Sequence, residues 1–178
     1  MCARAVAWPT SSSERSEVRD VSGVSTEIVD DLNRLMAEEI EAFLRYFQMR
    51  FRLRGQNRQA AEAFFEQSLK DTLEHAEGLA SRINSLGHAP TLHIRLSLSG
   101  DAMRPDEALA EAADVEQQAL DAYTEFLPRV AGDPVLEPFV RKQIEIEAEH
   151  VRSIRDTIRT TTPLSLVQKR AAAADRKP

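Results

Sequence analysis

The stretch Val140-Arg-Lys-Gln-Ile-Glu-Ile-Glu147-Ala-Glu-His150-Val-Arg-Ser-Ile154 decides how this chain folds. Val140, Ile144, Val151 and Ile154 recur at the spacing of one helical face. Glu147 falls in the middle of that apolar stripe. His150 follows three residues later and shares the face. An unpaired carboxylate in an apolar interior costs on the order of several kcal/mol, or shifts its pKa until it is neutral. A helix that places Glu147 inward therefore needs something inside to compensate it.

Two other helical patterns carry the same anomaly. Leu32, Leu35, Glu39, Ala42 and Tyr46 line one face of a segment expected from about Ser25 to Leu53, with Phe43 and Phe47 beside them. Ser25 or Thr26 can cap its start. Leu109, Ala113, Glu116, Leu120, Tyr123 and Leu127 line another, opened by Pro105 and Asp106, expected to reach about Val130 and stopped by Gly132. Between them, Phe65, Leu69, Leu73, Ala76, Leu79 and Ile83 mark a helix from about Asn57 to Leu86, closed by Gly87. Asp133 and Pro134 form a cap and first turn for the fourth helix, expected to run to about Thr160 before Pro163.

Only a few residues around Gly55 separate the first two helices, so they are expected to be antiparallel neighbours. From His88 to about Arg104 the periodicity fails, and Pro90, Ser99, Gly100 and Pro105 punctuate the stretch. A connection of that length suits a bundle that must return along its own length before the third helix. Leu92 to Leu98 alternates like a strand but is not read as one. The expected architecture is all-α: an antiparallel four-helix bundle over residues 25–162, with a long crossover between helices two and three. Residues 1–24 read as a mobile tail, and residues 163–178 as a short basic tail or terminal helix.

Composition narrows the function. The 178 residues are 42% hydrophobic, enough for one real core, with a formal net charge of −6 that argues against general nucleic-acid binding. The single cysteine, Cys2, excludes an internal disulfide and a CxxC metal knot. A reducing cytoplasm is the expected compartment. No apolar run is long enough to span a membrane.

Three carboxylates at the midpoints of three helices call for a cation. His75 on helix two and His150 on helix four supply imidazoles at matching places. Oxygen and nitrogen donors together are the mixture that redox iron accepts. Glu39 precedes His75 by 36 residues and Glu116 precedes His150 by 34, so the two helix pairs look like copies of one unit. His88 and His93 fall in the crossover and are expected to face solvent.

Leu32-Asn-Arg-Leu-Met-Ala-Glu-Glu39-Ile with Ala42 and Tyr46-Phe47 resembles the first helix of bacterioferritins. Leu73-Glu-His75-Ala-Glu, Glu107-Ala-Leu through Glu116, and Glu147-Ala-Glu-His150 follow that family's order. The resemblance covers about residues 28–160. It implies the ferritin-like design, a Glu from each of two helices plus Glu-x-x-His from each of the others. Glu39, His75, Glu116, Glu147 and His150 then match five of six ligands of a di-iron ferroxidase centre. Thr72 stands where the family has a bridging Glu, with Asp71 beside it as a candidate substitute ligand. Leu73 stands where the family has its haem-ligating Met, so haem is not expected. Tyr46 reads as core packing from its spacing, and as a redox-active tyrosine from the resemblance.

The resemblance implies iron(II) oxidised by O2 or H2O2 and stored as ferric mineral inside a large homo-oligomer. Thr72 leaves open a catalytically degenerate structural subunit of the same fold. Ligands alone also leave open a di-iron oxidase or peroxidase acting on another substrate. The starvation-induced DNA-protecting branch has a paired acidic site on helix two, where this chain has Glu77 and Ser81. Pro163-Leu-Ser-Leu-Val is similar to the short tails that load cargo into encapsulin shells.

Overall fold

Four helices account for most of the computed structural model, which describes residues 25–161. They are α1 (Thr26–Arg52), α2 (Arg58–Ser85), α3 (Pro105–Phe126) and α4 (Leu136–Thr161). The expected tail and terminal helix, and the segment Pro163–Val167, lie outside the described residues.

Local chemistry sets each boundary. Ser25 accepts from the Glu27 N–H at 3.1 Å and caps α1. Asn57, in the left-handed conformation with φ 63°, starts α2 after the turn at Gly55. At the other end of α2, Gly87 has φ 85°. Its N–H reaches the Asn84 carbonyl and that of His88 reaches Ile83, a double closure that needs a residue tolerant of positive φ. Asp133 accepts from the Val135 and Leu136 N–H groups at 2.8 and 2.7 Å and so caps α4. Regular helix there begins at Leu136, two residues later than Pro134.

The third helix also ends earlier than its periodicity suggests. The α-helix stops at Phe126, and Leu127–Val130 tighten into a 3-10 turn. Pro128 has no N–H to continue the ladder, and its ring collides with the carbonyl four residues back.

The crossover is a strap laid along α1. The Thr91 N–H donates to Asn33 at 2.7 Å and the Arg95 N–H to Glu41 at 2.6 Å. Met103 then pairs with the backbone of Arg52 and Arg54. The strap thus runs the length of α1 and delivers α3 at the opposite end of the bundle. Its one ladder-like contact is the Leu53–Met103 bridge, and no strand forms among the described residues. His93 is exposed, but His88 is half-buried, contrary to expectation, because the turn closing α2 folds it back.

The core forms two apolar clusters. Val29, Leu32, Leu35, Ala76, Leu79, Ile83, Tyr123 and Phe126 fill one end of the bundle. Ala42, Tyr46, Met49, Ala61, Phe65, Leu109 and Ile154 fill the other. Phe47 and Leu73 are not part of either. They are 52% and 42% exposed, because each lies beyond the edge of its helix's buried arc.

Candidate metal centre

Between those two clusters the interior turns polar. Glu39, His75, Glu116 and Glu147 are all buried, with Glu147 only 2% exposed. Each occupies the position that helical periodicity assigns to the inner face of its own helix. The apolar clusters flank this layer along the bundle axis.

The side chains sort into two groups that share one member. Glu39, His75 and Glu147 bring one donor atom each to within 4.8 Å of one another, and so do Glu116, Glu147 and His150. The His75 Nδ1 lies 2.9 Å from Glu147 Oε1 and 3.6 Å from Glu39 Oε1. The His150 Nδ1 lies 3.3 Å from Glu116 Oε2 and 3.5 Å from Glu147 Oε2. Glu147 thus turns one oxygen to each imidazole. The two rings stack, 5.5 Å between centroids and 15° from parallel.

A tyrosine fixes each outer carboxylate. Tyr46 donates to Glu116 Oε1 at 2.7 Å, and Tyr123 donates to Glu39 Oε1 at 2.8 Å. Each hydroxyl crosses between α1 and α3, so the two bonds are mates under the approximate symmetry of the helix pairs. Tyr123 has no assigned role in the sequence reading beyond the apolar stripe. The signal that finds it is spacing: seven residues separate Glu39 from Tyr46, and seven separate Glu116 from Tyr123. Gln143, buried one turn before Glu147, is a second polar residue that the periodicity of α4 passed over.

The electrostatics describe a layer held together by protons. Burial opposes charge on His75, but the carboxylates of Glu147 and Glu39 outweigh it and raise its pKa to about 10. His150 is likewise opposed by burial and raised to about 10 by Glu116 and Glu147. Burial pushes the Glu147 carboxyl up, yet His150 and His75 together hold it down at about 2. Glu39 goes the other way. Burial raises it, His75 offsets only part of that, and the negative Glu147 adds to the rise. Burial, together with Glu116 for one and Glu39 for the other, puts both tyrosines well above the ordinary phenol range.

These donors fit a metal. Although His75 Nδ1 and Glu147 Oε1 are 2.9 Å apart, both are buried without a properly directed hydrogen bond. A shared cation relieves that arrangement, since it needs convergence of lone pairs rather than an in-line proton. Three carboxylates and two imidazoles are also the mixed oxygen–nitrogen set that iron accepts.

Asp71, the candidate substitute ligand, falls outside both groups. Asp71 lies 3.8 Å from Nε2 of His150, the nitrogen opposite the one facing Glu116 and Glu147. Its other oxygen accepts from Gln67 at 2.8 Å. At that distance it makes no hydrogen bond to the imidazole. Thr72 is buried, and its hydroxyl donates to the Ser68 carbonyl at 2.9 Å.

Fold and site together define a carboxylate-and-histidine four-helix bundle. Residues 29–163 match the ferritin-like domain, and the chain belongs to that family. Among solved structures it is similar to ferritin-like, diiron-carboxylate proteins from Bacillus anthracis str. Ames, with 26% identity and a TM-score of 0.66 over 75% of this chain and 96% of that one. A dodecameric thioferritin, the bacterioferritin-related protein of Bacteroides fragilis, shares the fold at 20% identity and a TM-score of 0.70, covering 83% and 90%. A nutrient stress-induced DNA-binding protein of Synechococcus sp. is 31% identical over 72 residues, which span about two fifths of each chain (40% and 41%). The likeness to bacterioferritins is therefore approximate, while membership of the ferritin-like family is plain. No helix among the described residues is long and apolar enough to cross a membrane.

Proposed function

We propose that the centre binds iron(II) as its substrate, promotes its oxidation by O2 or H2O2, and passes the ferric product to storage within a homo-oligomer. The observation that carries this reading is Glu147, whose two oxygens serve two separate carboxylate–imidazole groups. A single structural cation has no need of that duplication. Paired positions sharing a carboxylate are the arrangement by which two metal ions act on one small oxidant.

The residues divide the work. Glu39, Glu116 and Glu147 offset the charge that rises on iron as it loses electrons. His75 and His150 present Nδ1 and give up their protons as iron enters. Tyr46 grips Glu116 by Oε1 and leaves Oε2 turned toward His150. Tyr123 holds Glu39 from the other side. The apolar clusters close the layer at both ends of the bundle.

Oligomer formation is supported by exposed apolar side chains on α1 and its strap: Phe47, Phe51, Leu92, Ile94 and Leu98. The Bacteroides fragilis relative is itself described as dodecameric. A DNA-protecting role draws support only from the name of the Synechococcus relative. The net charge of −6 weighs against it, and no gel shift is expected even at low salt.

The test is anaerobic loading with iron(II) followed by oxygen, read by ferric absorbance in stopped flow and compared with Glu147→Ala. Rapid oxidation in the wild type and none above the protein-free rate in the variant are expected. Equal rates would end this reading. A structural subunit of the same fold is the second reading, favoured by Thr72, and it is the outcome if iron binds but oxidises no faster than in buffer.

A further inference from the structure

Gln143 lies on α4 one turn before Glu147 and shares its face. It is 6% exposed, and its Nε2 is buried with no hydrogen-bond partner in place. An unmet buried donor destabilises a fold, and an apolar side chain of the same length would avoid the loss. The amide nevertheless lies against the Tyr123 hydroxyl. Among the groups that act most on that phenol, it is the one that lowers the pKa, as a donor to the oxygen does.

Tyr123 has room for such a donor. Its own O–H is spent on Glu39 Oε1 at 2.8 Å, and a phenol oxygen keeps lone pairs to accept a further bond. The other half of the centre is built differently at this point. Gln143 precedes His150 by seven residues, and seven before His75 stands the much shorter Ser68. The groups that act most on Tyr46 all raise its pKa, and none is a donor to its oxygen. The two tyrosine–carboxylate pairs match, but what stands behind them does not.

We infer that Gln143 is a positioning residue for the Glu39 half of the centre: when metal seats there, the amide closes on the Tyr123 oxygen, and the chain Gln143–Tyr123–Glu39 fixes the angle of the carboxylate. The inference rests on the metal reading above. Hydrogen-bonded groups behind a ligating carboxylate hold its orientation and strengthen metal binding. The chain runs from α4 through α3 to α1, so it ties Glu39 to the helix that carries Glu147. The donor left unmet in the metal-free fold is then a support whose gain comes only on loading.

The experiment uses the full chain, with cobalt(II) affinity measured by chelator competition and metal-free stability by urea denaturation. Gln143→Met keeps the length of the side chain and removes the donor. It is expected to leave the urea midpoint unchanged or raised, whereas a merely structural amide would lower it. One of the two cobalt ions should be held on the order of tenfold more weakly, and the other as before. His150→Ala, which retains the Glu39–His75 position, should show that loss on adding Gln143→Met, and His75→Ala should not. With Tyr123→Phe present, Gln143→Met should have no further effect, because the support acts through the phenol. A metal-free Gln143→Met that is less stable, or does not fold, overturns the inference. So does an equal weakening of both ions, or of neither, or a loss that persists beside Tyr123→Phe. In all of these cases the metal centre stands. A wild-type chain that takes up no cobalt overturns the metal reading, and this inference with it.

Discussion

The Glu39–His75 half and the Glu116–His150 half of the centre are built from the same parts and differ in their surroundings. Each has an outer carboxylate held by a tyrosine from the opposite helix, an imidazole, and one oxygen of Glu147. Yet Glu39 and Tyr123 border a cavity of about 540 Å3 between α1 and α3, with His75 buried away from it, while both Glu116 and His150 border one of about 250 Å3 between α2 and α4, with Asp71 nearby. Repetition of the helix pair fixes what the halves contain. Packing of the helices decides whether the imidazole of each half meets a cavity. Composition and accessibility are therefore separate variables, and substitutions can separate them.

The largest effect is expected where the halves join. Glu147→Ala removes the shared carboxylate, and metal content should fall from about two ions per chain to near none, measured by native mass spectrometry. Retention of one tightly held ion would show that the halves do not depend on a common ligand. Next come the outer groups. His75→Ala and His150→Ala should each abolish one position, and the ion remaining in His150→Ala, held by the less exposed imidazole, should dissociate more slowly. A chelator-competition time course distinguishes the two, and equal rates would erase the contrast between the two imidazoles.

Smaller and equal effects are expected from the tyrosines. Tyr46→Phe and Tyr123→Phe each leave a buried carboxylate oxygen without its donor, at a cost of about 1–3 kcal/mol in the metal-free protein, measured by urea denaturation. A marked inequality would mean that the approximate symmetry of the two hydrogen bonds is not matched in energy.

The last effect is a slope spread over several pH units. His75 and His150 have pKa values raised from 6.5 to about 10, so they stabilise the metal-free fold fully below pH 6.5. That contribution declines as pH rises toward 10. Glu147, held at about 2, stabilises above pH 4.5 and loses its contribution as pH falls toward 2. Thermal melts of the metal-free protein should therefore weaken above neutrality, and metal affinity should rise over the same range as protons leave the imidazoles. Glu147→Ala should flatten the upper slope.

Much of the fold was legible because period and punctuation agree. Glycines at 55, 87 and 132, Asp133 and the failure of pattern after His88 marked four helices and a crossover, and the structure has them. Pro128 shortened α3 because a proline in a last turn breaks the ladder without disturbing the apolar spacing that announces a helix. Phe47 and Leu73 misled for a related reason: hydrophobicity alone does not say which residues at the margin of a stripe meet a neighbour. The convergence of Glu39, His75, Glu116, Glu147 and His150 followed from each lying inward at mid-helix. Asp71 could not be placed from spacing, since an offset of four residues from His75 fixes a face but not which side of a facing imidazole it meets. The cavities beside Glu39 and beside His150 depend on packing between pairs of helices, which no single helix encodes.

Anomalous diffraction from crystals soaked in iron(II) without oxygen tests the shared role of Glu147 most directly. Two peaks are expected, one among Glu39, His75 and Glu147 and one among Glu116, Glu147 and His150, with Glu147 touching both. Iron found only on exposed surface carboxylates, with the layer between the apolar clusters left bare, would contradict it.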